Sequence, residues 1–287
     1  MFIEHPCYDA KAHFKIGRIH LPVAPFCNIQ CNYCSRKLRV NDNRPGISNE
    51  ILTPKKALAK TKKALALDPR IKIVAIAGPG DPLANSTTIE TFKLIKEDIP
   101  HVNFCLSTNG LNLVDQIDDL CKVGVKFITV TLNTIDPKIG AKIYSFVKYK
   151  CKIYTGEEAA SLLLNRQIEG IKKAVQAGIL VKINSVLIPE INMEHLPEVA
   201  ERLSKIGVHI MNIMPLIPIG KFKDLRPPNT NELKTTREKC EVYIRQWYLC
   251  KQCRADAIGV PGEEKASQLQ IDACPINSIK AMLACRH

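Results

Sequence analysis

The sequence APFCNIQCNYCSRK, residues 24–37, decides the fold and the chemistry expected of this chain. Cys27, Cys31 and Cys34 have the spacing C-x3-C-x2-C and follow a β-rich run, residues 18–24. Three thiolates on one loop can hold three irons of a [4Fe–4S] cluster and leave the fourth iron open. An open iron can bind S-adenosylmethionine (SAM) and reduce its sulfonium, which releases a 5′-deoxyadenosyl radical. The alternatives are a zinc knuckle, which needs a fourth ligand, or three unrelated buried thiols.

The residues around this loop alternate between β-rich runs and helical patterns. Predicted strands cover residues 18–24, 71–77, 102–107, 125–132, 180–187 and 208–216, and predicted helices cover 54–66, 87–97, 113–123, 157–178, 193–206 and 231–247. Strands joined by helical crossovers predict a parallel sheet, and six units predict an α/β fold with a partial (β/α)6 TIM-like barrel. Ligands in such folds bind at the carboxyl ends of the strands. We therefore expect an N-terminal segment with a candidate cluster ligand (1–17), the barrel (18–225) and a C-terminal extension with further cysteines (226–287).

Composition restricts the class of protein. The 287 residues include 41 Lys and Arg against 28 Asp and Glu, a formal net charge of +13, and 12 cysteines. The N-terminus has no apolar signal core, and no stretch approaches the roughly 18 apolar residues of a membrane span. A secreted, membrane or disordered protein is therefore not expected, and we predict a cytoplasmic one. Cysteines in a reducing compartment favour metal or redox chemistry. Basic residues form no run of five, so nucleic-acid binding is not expected.

A second motif, GPGDPLAN at residues 78–85, follows the second predicted strand. Gly78 and Gly80 allow the backbone to approach a ligand closely, and Asp81 offers an acceptor for an ammonium group. The alternative is a tight turn built from residues that favour turns. Its position at a strand end favours a binding role.

Two pairs of cysteines lie near the C-terminus. Cys250 and Cys253 form a C-x2-C pair, and Cys274 and Cys285 follow within 35 residues. These four thiols could ligate another iron–sulfur cluster, or a structural zinc ion.

Further cysteines lie outside these motifs. Cys7 stands in HPCY beside His5. Cys105 shares one face of the third predicted strand with polar neighbours, which suits a polar barrel interior, although a small buried apolar group is an equal alternative. Cys121 falls on an apolar helix face and is predicted to belong to the core.

Taken together, these segments resemble the NifB family of nitrogenase cofactor assembly, within the radical SAM superfamily. The resemblance runs from about residue 5 to about residue 259 and is closest to the standalone archaeal form. Its segments are HPCY (5–8), CNIQCNYCSRK (27–37), RPG (44–46), GPGDPLAN (78–85), LSTNGL (106–111), TVTLNTIDPKIGAKIY (129–144), INSVLIP (183–189), IMNIMPLIP (210–218) and CKQCRADAIG (250–259).

The resemblance implies a radical SAM barrel and a lyase-type carbide synthase. Such an enzyme fuses two [4Fe–4S] substrate clusters, with a SAM-derived carbide and a further sulfur, into an eight-iron precursor. The implied ligands are Cys27, Cys31 and Cys34 for the catalytic cluster, Cys7 and Cys105 for one substrate cluster, and Cys250 and Cys253 for the other, completed by Cys274 or Cys285. The implied SAM site comprises Gly78, Gly80, Asp81, Thr131, Asn133, Ile143 and Asn184. The implied partners are iron–sulfur cluster donors and cofactor scaffold or carrier proteins, with no nucleic acid, no membrane and a monomeric chain.

One position departs from the family pattern. The family has another cysteine about six residues after the third motif cysteine, where this chain has Val40. A histidine (His5, His13 or His20) or Cys121 could replace that ligand. The departure also leaves open a different radical SAM enzyme with one auxiliary cluster. A non-catalytic iron–sulfur carrier is a third hypothesis.

Overall fold

The structure is a computed structural model that describes residues 3–35 and 44–264. Its strands are β1 (Gly17–His20), β2 (Ile29–Cys31), β3 (Ile71–Ile76), β4 (Asn103–Thr108), β5 (Val125–Thr131), β6 (Tyr144–Tyr149), β7 (Lys152–Tyr154), β8 (Leu180–Leu187), β9 (Ile210–Pro215) and β10 (Ile258–Gly259). Its helices are α1 (Ala10–His13), α2 (Pro54–Leu67), α3 (Thr87–Asp98), α4 (Leu113–Val123), α5 (Pro137–Ile143), α6 (Gly156–Gln176), α7 (Leu196–Ser204) and α8 (Thr230–Glu241).

The strands form two sheets. The larger has the order β10-β1-β3-β4-β5-β8-β9. The pairs β1–β3, β5–β8 and β8–β9 are parallel, and the short β10 pairs antiparallel with β1. All six predicted strands are present in this sheet, and each is followed by helical structure, so the predicted α/β alternation is confirmed. The smaller sheet, β2-β6-β7, is antiparallel and was not predicted.

The chain divides by its contacts into two compact units, of which the first comprises the described residues 3–26, 44–105 and 251–264. Its helix α2 begins where the sequence predicts, because the Thr53 hydroxyl accepts a hydrogen bond from the Lys56 backbone N–H and Pro54 occupies the first turn. Helix α3 places Phe92 in the core, where its ring lies 4.7 Å from that of Phe104 on β4. These contacts give the parallel strands of this unit an apolar cover.

The second unit comprises the described residues 27–35 and 106–250. Its longest helix, α6, packs closely against α4. A Cβ built on Gly170 of α6 would lie 2.9 Å from the Leu113 Cβ, so a larger residue would separate the two helices. The buried faces of α4 and α6 therefore cover the strands β5 and β8.

The last predicted helix is shorter than expected, and this prediction was wrong in its end point. We predicted residues 231–247, but α8 ends at Glu241. The following backbone pairs with β9 instead: the Met211 N–H donates to the Arg245 carbonyl at 2.9 Å, and the Trp247 N–H donates to the Met211 carbonyl at 2.7 Å. Because the edge of β9 offers these backbone groups a hydrogen-bond partner, pairing with β9 competes with continuation of the helix.

No helix within the described ranges is both long and apolar enough to cross a membrane.

Candidate functional site

The cysteine motif lies on a loop of the second unit that is held by strand pairing. The thiols of Cys27, Cys31 and Cys34 are free of disulfides and half-buried. Strand β2, inside the motif, pairs antiparallel with β6. The Asn32 N–H also donates to the Ile143 carbonyl at 2.8 Å. Backbone hydrogen bonds, rather than the thiols themselves, therefore set the course of the loop.

A second segment supports the same loop from the C-terminal side of β9. The Asn32 carbonyl accepts from the backbone N–H groups of Lys221 at 2.8 Å and Phe222 at 3.2 Å. Gly220 has a φ of 62°, and a Cβ there would lie 2.6 Å from the Asn32 oxygen. Glycine is required at this position because both the backbone angle and the close approach exclude a side chain.

Polar side chains surround the thiols. The Asn109 side-chain nitrogen lies 3.7 Å from the Cys27 sulfur and donates to the Asn28 side chain at 2.7 Å. The Gln30 amide donates to the carbonyls of Cys31 and Cys34, at 2.9 and 3.1 Å. The Asn109 amide is therefore suited to stabilise negative charge on the Cys27 sulfur, while the Gln30 amide holds the loop backbone.

Two tyrosines and an asparagine form a buried network beside Cys31. The Asn133 Nδ2 donates to the hydroxyls of Tyr33 at 2.8 Å and Tyr144 at 3.0 Å, and its Oδ1 accepts from the Val186 N–H at 2.8 Å. Burial raises the pKa of Tyr33 well above its usual value, and the adjacent Cys31 side chain adds to the rise. Burial likewise raises the pKa of Tyr144. Both phenols are therefore neutral, and Tyr33 also hydrogen-bonds to the Cys31 side chain.

The other predicted SAM residues of this unit lie along β5, α5 and β8. The Thr131 carbonyl accepts from the Gln167 side chain at 2.9 Å. The Asn184 Oδ1 accepts from the Asn212 amide at 3.0 Å. The side chain of Ile143 is fully buried.

In the first unit, the glycine-rich turn packs against the residues that precede the motif. The Gly80 N–H donates to the Ala24 carbonyl at 2.6 Å, and the Asp81 N–H donates to the Phe26 carbonyl at 2.7 Å. A Cβ on Gly80 would lie 2.1 Å from the Phe26 oxygen. The Asp81 carboxylate is buried and accepts from the Leu83 N–H at 2.9 Å, while Gly78 has a φ of 132°. The turn therefore needs glycine at two positions.

The first unit also holds three of the predicted substrate-cluster cysteines. Cys7 is half-buried, and its N–H donates to the His5 ring at 3.0 Å. Cys105 is buried on β4. Cys253 is half-buried, and its sulfur accepts a hydrogen bond from Arg18 at 3.0 Å.

Arg18 is a residue that the sequence analysis missed. Burial alone lowers the pKa of its guanidinium, but the Cys253 side chain, the Glu264 carboxylate and Cys7 outweigh burial and raise that pKa. The available signal was a charged residue within a predicted strand, β1.

Cys250 belongs to the second unit and is half-buried. Burial lowers the pKa of Arg237, and the Cys250 side chain offsets part of that effect. The Arg237 Nη2 donates to the Ile213 carbonyl at 2.8 Å. Cys274, Cys285 and Val40 lie outside the described residues.

Three other cysteines have environments unlike those of the motif. Cys121 is exposed, so the prediction that it belongs to the core was wrong; the buried face of α4 is formed by its neighbours, including Ile117 and Leu120. Cys240 is fully buried, and burial raises the pKa of its thiol to about 12. Cys151 is exposed in the turn between β6 and β7.

Within residues 3–35 and 44–264, no three His, Cys, Asp or Glu side chains are close enough together to hold a metal ion. The donor set nevertheless fits an iron–sulfur cluster by its chemistry. Cys27, Cys31 and Cys34 supply three thiols without disulfide bonds on one supported loop, and thiolates are the ligands that such clusters take.

Comparison with solved structures confirms the predicted radical SAM fold. SuiB of Streptococcus suis, solved bound to S-adenosylmethionine, superimposes with a TM-score of 0.58 at 17% identity, over 80% of this chain and 48% of SuiB. A radical SAM methyltransferase from Sphaerobacter thermophilus gives a TM-score of 0.53 at 16% identity, over 88% of this chain and 70% of that one.

Sequence comparisons give the family. The radical SAM superfamily profile matches residues 21–203. FeMo cofactor biosynthesis protein NifB of Methanocaldococcus jannaschii is 49% identical over 263 residues, which cover 91% of this chain and 87% of that protein. The protein of the same name from Klebsiella pneumoniae is 44% identical over 291 residues, which cover 99% of this chain and 62% of that protein. The chain therefore belongs to the NifB family of the radical SAM superfamily.

Proposed function

We propose that this chain is a radical SAM enzyme of FeMo cofactor biosynthesis that fuses two [4Fe–4S] substrate clusters into the eight-iron precursor NifB-co. The reaction inserts a carbide derived from SAM and adds a sulfur. The observation that carries the proposal is 49% identity with the M. jannaschii NifB across 91% of the chain. The half-buried thiols of Cys27, Cys31 and Cys34 on a supported loop agree with it.

The cysteine loop is the proposed site of the catalytic cluster. When bound there, a [4Fe–4S] cluster supplies the electron that cleaves SAM to the 5′-deoxyadenosyl radical. Cys27, Cys31 and Cys34 hold it, and β6 and Gly220 fix the loop that carries them. The neutral hydroxyl of Tyr33 donates to Cys31 and stabilises its negative charge.

The residues proposed to bind SAM are those that the family resemblance implies, namely Gly78, Gly80, Asp81, Thr131, Asn133, Ile143 and Asn184. Once bound, one SAM would supply a methyl group for a cluster sulfide, and a second SAM would supply the 5′-deoxyadenosyl radical that takes hydrogen from that methyl group.

The substrate clusters are assigned to the remaining thiols. Cys7 and Cys105 are proposed for one cluster, and Cys250 and Cys253 for the other. Cys274 or Cys285, outside the described residues, would complete the second set. The proposed partners are iron–sulfur cluster donors and cofactor scaffold or carrier proteins, and the enzyme is proposed to work as a cytoplasmic monomer.

A second candidate function is favoured by Val40, which stands where the family has a cysteine. A radical SAM enzyme with one auxiliary cluster would not need that ligand.

The first experiment is therefore to determine iron and labile sulfide after anaerobic reconstitution, followed by electron paramagnetic resonance with and without SAM. About twelve irons per chain, three cubes of four, with a signal change on adding SAM, support cluster fusion. About eight irons support the enzyme with one auxiliary cluster.

Two cysteine variants separate catalysis from substrate binding. Cys27→Ala should abolish SAM cleavage by dithionite-reduced protein, because the catalytic cluster loses a ligand. Cys253→Ala should retain reductive cleavage to 5′-deoxyadenosine but lose methyl transfer to a cluster. Cys151→Ala, at an exposed turn, is the matched control and should behave as the parent protein. Full cluster fusion by Cys253→Ala would refute the assignment of the tail cysteines. Failure of the parent protein to cleave SAM would instead favour a non-catalytic iron–sulfur carrier.

A further inference from the structure

Arg18 is a buried cation on the short strand β1. Its side chain is 1% exposed, and it stands between Gly17 and Ile19 on β1. A guanidinium keeps its proton at any ordinary pH, so its charge cannot be removed by burial. A buried charge of this kind is retained at a cost in free energy unless anions and acceptors surround it.

Its hydrogen bonds all go to the segment that carries the second tail cysteine. The Arg18 Nη1 donates to the Gly259 carbonyl at 2.6 Å. The Nη2 donates both to the Cys253 sulfur at 3.0 Å and to the Glu264 carboxylate at 2.8 Å. The Cys253 side chain is thus held by Arg18, and the Cys253 carbonyl also accepts a hydrogen bond from the Gly46 N–H at 3.2 Å.

We propose that Arg18 is a positioning residue for the substrate cluster at Cys253, where its hydrogen bond fixes the thiolate and its charge stabilises the reduced, more negative cluster. Glu264 opposes this effect, since its carboxylate shares the same guanidinium nitrogen as the sulfur. The inference rests on the proposed function, because it takes Cys253 to be a ligand of a substrate cluster.

The positive charge of Arg18 bears on the reduction potential of a cluster held by Cys253. Reduction adds one electron to a cluster that thiolates already make negative, so a nearby fixed positive charge favours the reduced form. Hydrogen bonds to the sulfurs act in the same direction, and both raise the reduction potential. The effect of a charge is largest where water is excluded, as it is around a side chain with 1% exposure. Glu264 has a side chain with 40% exposure, so its opposing effect should be smaller.

The test uses full-length protein in which Cys27, Cys31 and Cys34 are all changed to alanine, so that only substrate clusters remain. Iron per chain is measured after reconstitution, and the midpoint potential is measured by a redox titration followed by electron paramagnetic resonance. The spectral component that disappears in Cys253→Ala is the one to follow. Into this background go Arg18→Met, Arg18→Lys and Glu264→Gln. Arg70→Met is the matched control, because Arg70 binds Glu263 of the same segment at 3.0 Å through an exposed ion pair.

Arg18→Met should shift the ratio of reduced to oxidised cluster about tenfold toward the oxidised form, which is about 59 mV for one electron. It should also lower the iron content. Arg18→Lys should give a midpoint potential between those of the Arg18→Met variant and the parent, since lysine keeps the positive charge but lacks the several planar donors of the guanidinium. Glu264→Gln should shift the potential in the opposite direction, and Arg70→Met should not shift it.

Unchanged potential and iron content in both Arg18→Met and Glu264→Gln would overturn the inference and leave the proposed function intact. If the background protein with Arg18 intact binds no cluster that depends on Cys253, the ligand assignment fails and the inference fails with it. Thermal unfolding of each cluster-free variant shows whether it is folded. If Arg18→Met is unfolded, the sign of the Glu264→Gln shift decides the question, because its partially exposed side chain can be changed with little effect on packing.

Discussion

Replacing Asn133 with leucine is expected to destabilise the protein because this buried amide joins three elements through its hydrogen bonds. The side chain is completely buried. Its Oδ1 accepts from the Val186 N–H on β8, and its Nδ2 donates to Tyr33 in the cysteine loop and to Tyr144 at the start of β6. Leucine has a similar volume and can make none of these bonds.

The magnitude follows from what the substitution leaves unpaired. The Val186 N–H, a buried donor, would lose its acceptor, which costs about 1–3 kcal/mol. The two phenol oxygens would lose a shared donor, at about 1 kcal/mol for the pair. The total of about 3 kcal/mol corresponds to a fall in Tm of roughly 6–12 °C, at about 2–4 °C per kcal/mol.

The assay is thermal unfolding of cluster-free protein, followed by circular dichroism. Tyr144→Phe is the matched control: it removes one acceptor and leaves the amide bonded to Tyr33 and Val186, so it should cost only about 1 kcal/mol. SAM binding to reconstituted protein is measured alongside, because Asn133 was also predicted to contact SAM. A Tm for Asn133→Leu within about 2 °C of the parent would refute the reasoning from the hydrogen bonds.

Two further predictions concern the backbone. Gly80→Ala places a Cβ 2.1 Å from the Phe26 oxygen, a backbone clash that no rotamer relieves. We therefore expect the free energy of unfolding to fall by about 3 kcal/mol and SAM cleavage to be lost. Parent-like behaviour in both thermal unfolding and SAM cleavage would contradict this prediction. Lys150 and Cys151, in the turn between β6 and β7, have positive φ values of 46° and 62°. Hairpin turns with two positive φ values prefer Asn-Gly. The double change Lys150→Asn, Cys151→Gly should therefore stabilise the cluster-free protein by about 1–2 kcal/mol. An unchanged or lower Tm would show that this turn carries no strain.

The parts of the fold that were predicted are those with local signals. Strand β8 matches its predicted range, Leu180–Leu187, and α2 begins at the predicted Thr53–Pro54 cap. The sheet β2-β6-β7 was missed because β2 is only three residues long, lies inside the cysteine motif, and pairs with a strand more than 100 residues away. The turn between β6 and β7 also lacks the glycine that usually marks a hairpin.

In the candidate site, too, the residues with a local sequence signal were predicted and those that depend on distant contacts were missed. The thiols of Cys27, Cys31 and Cys34 were predicted because their spacing is a local pattern. Arg18 was missed because its partners lie 235 to 246 residues further along the chain. No periodicity in the sequence reports such a contact, since it depends on the pairing of β1 with β10.

The support of the cysteine loop has a consequence for the order of events during synthesis. The motif leaves the ribosome early, but Ile143, β6 and residues 220–222, which hold its backbone, are made later. Residue 222 follows Cys34 by 188 positions (222 − 34), which takes roughly 10–40 s at about 5–20 residues per second. A nascent chain therefore exposes its three thiols for that interval without their folded arrangement. Iron delivery to the released, folded polypeptide should be more productive than delivery during translation.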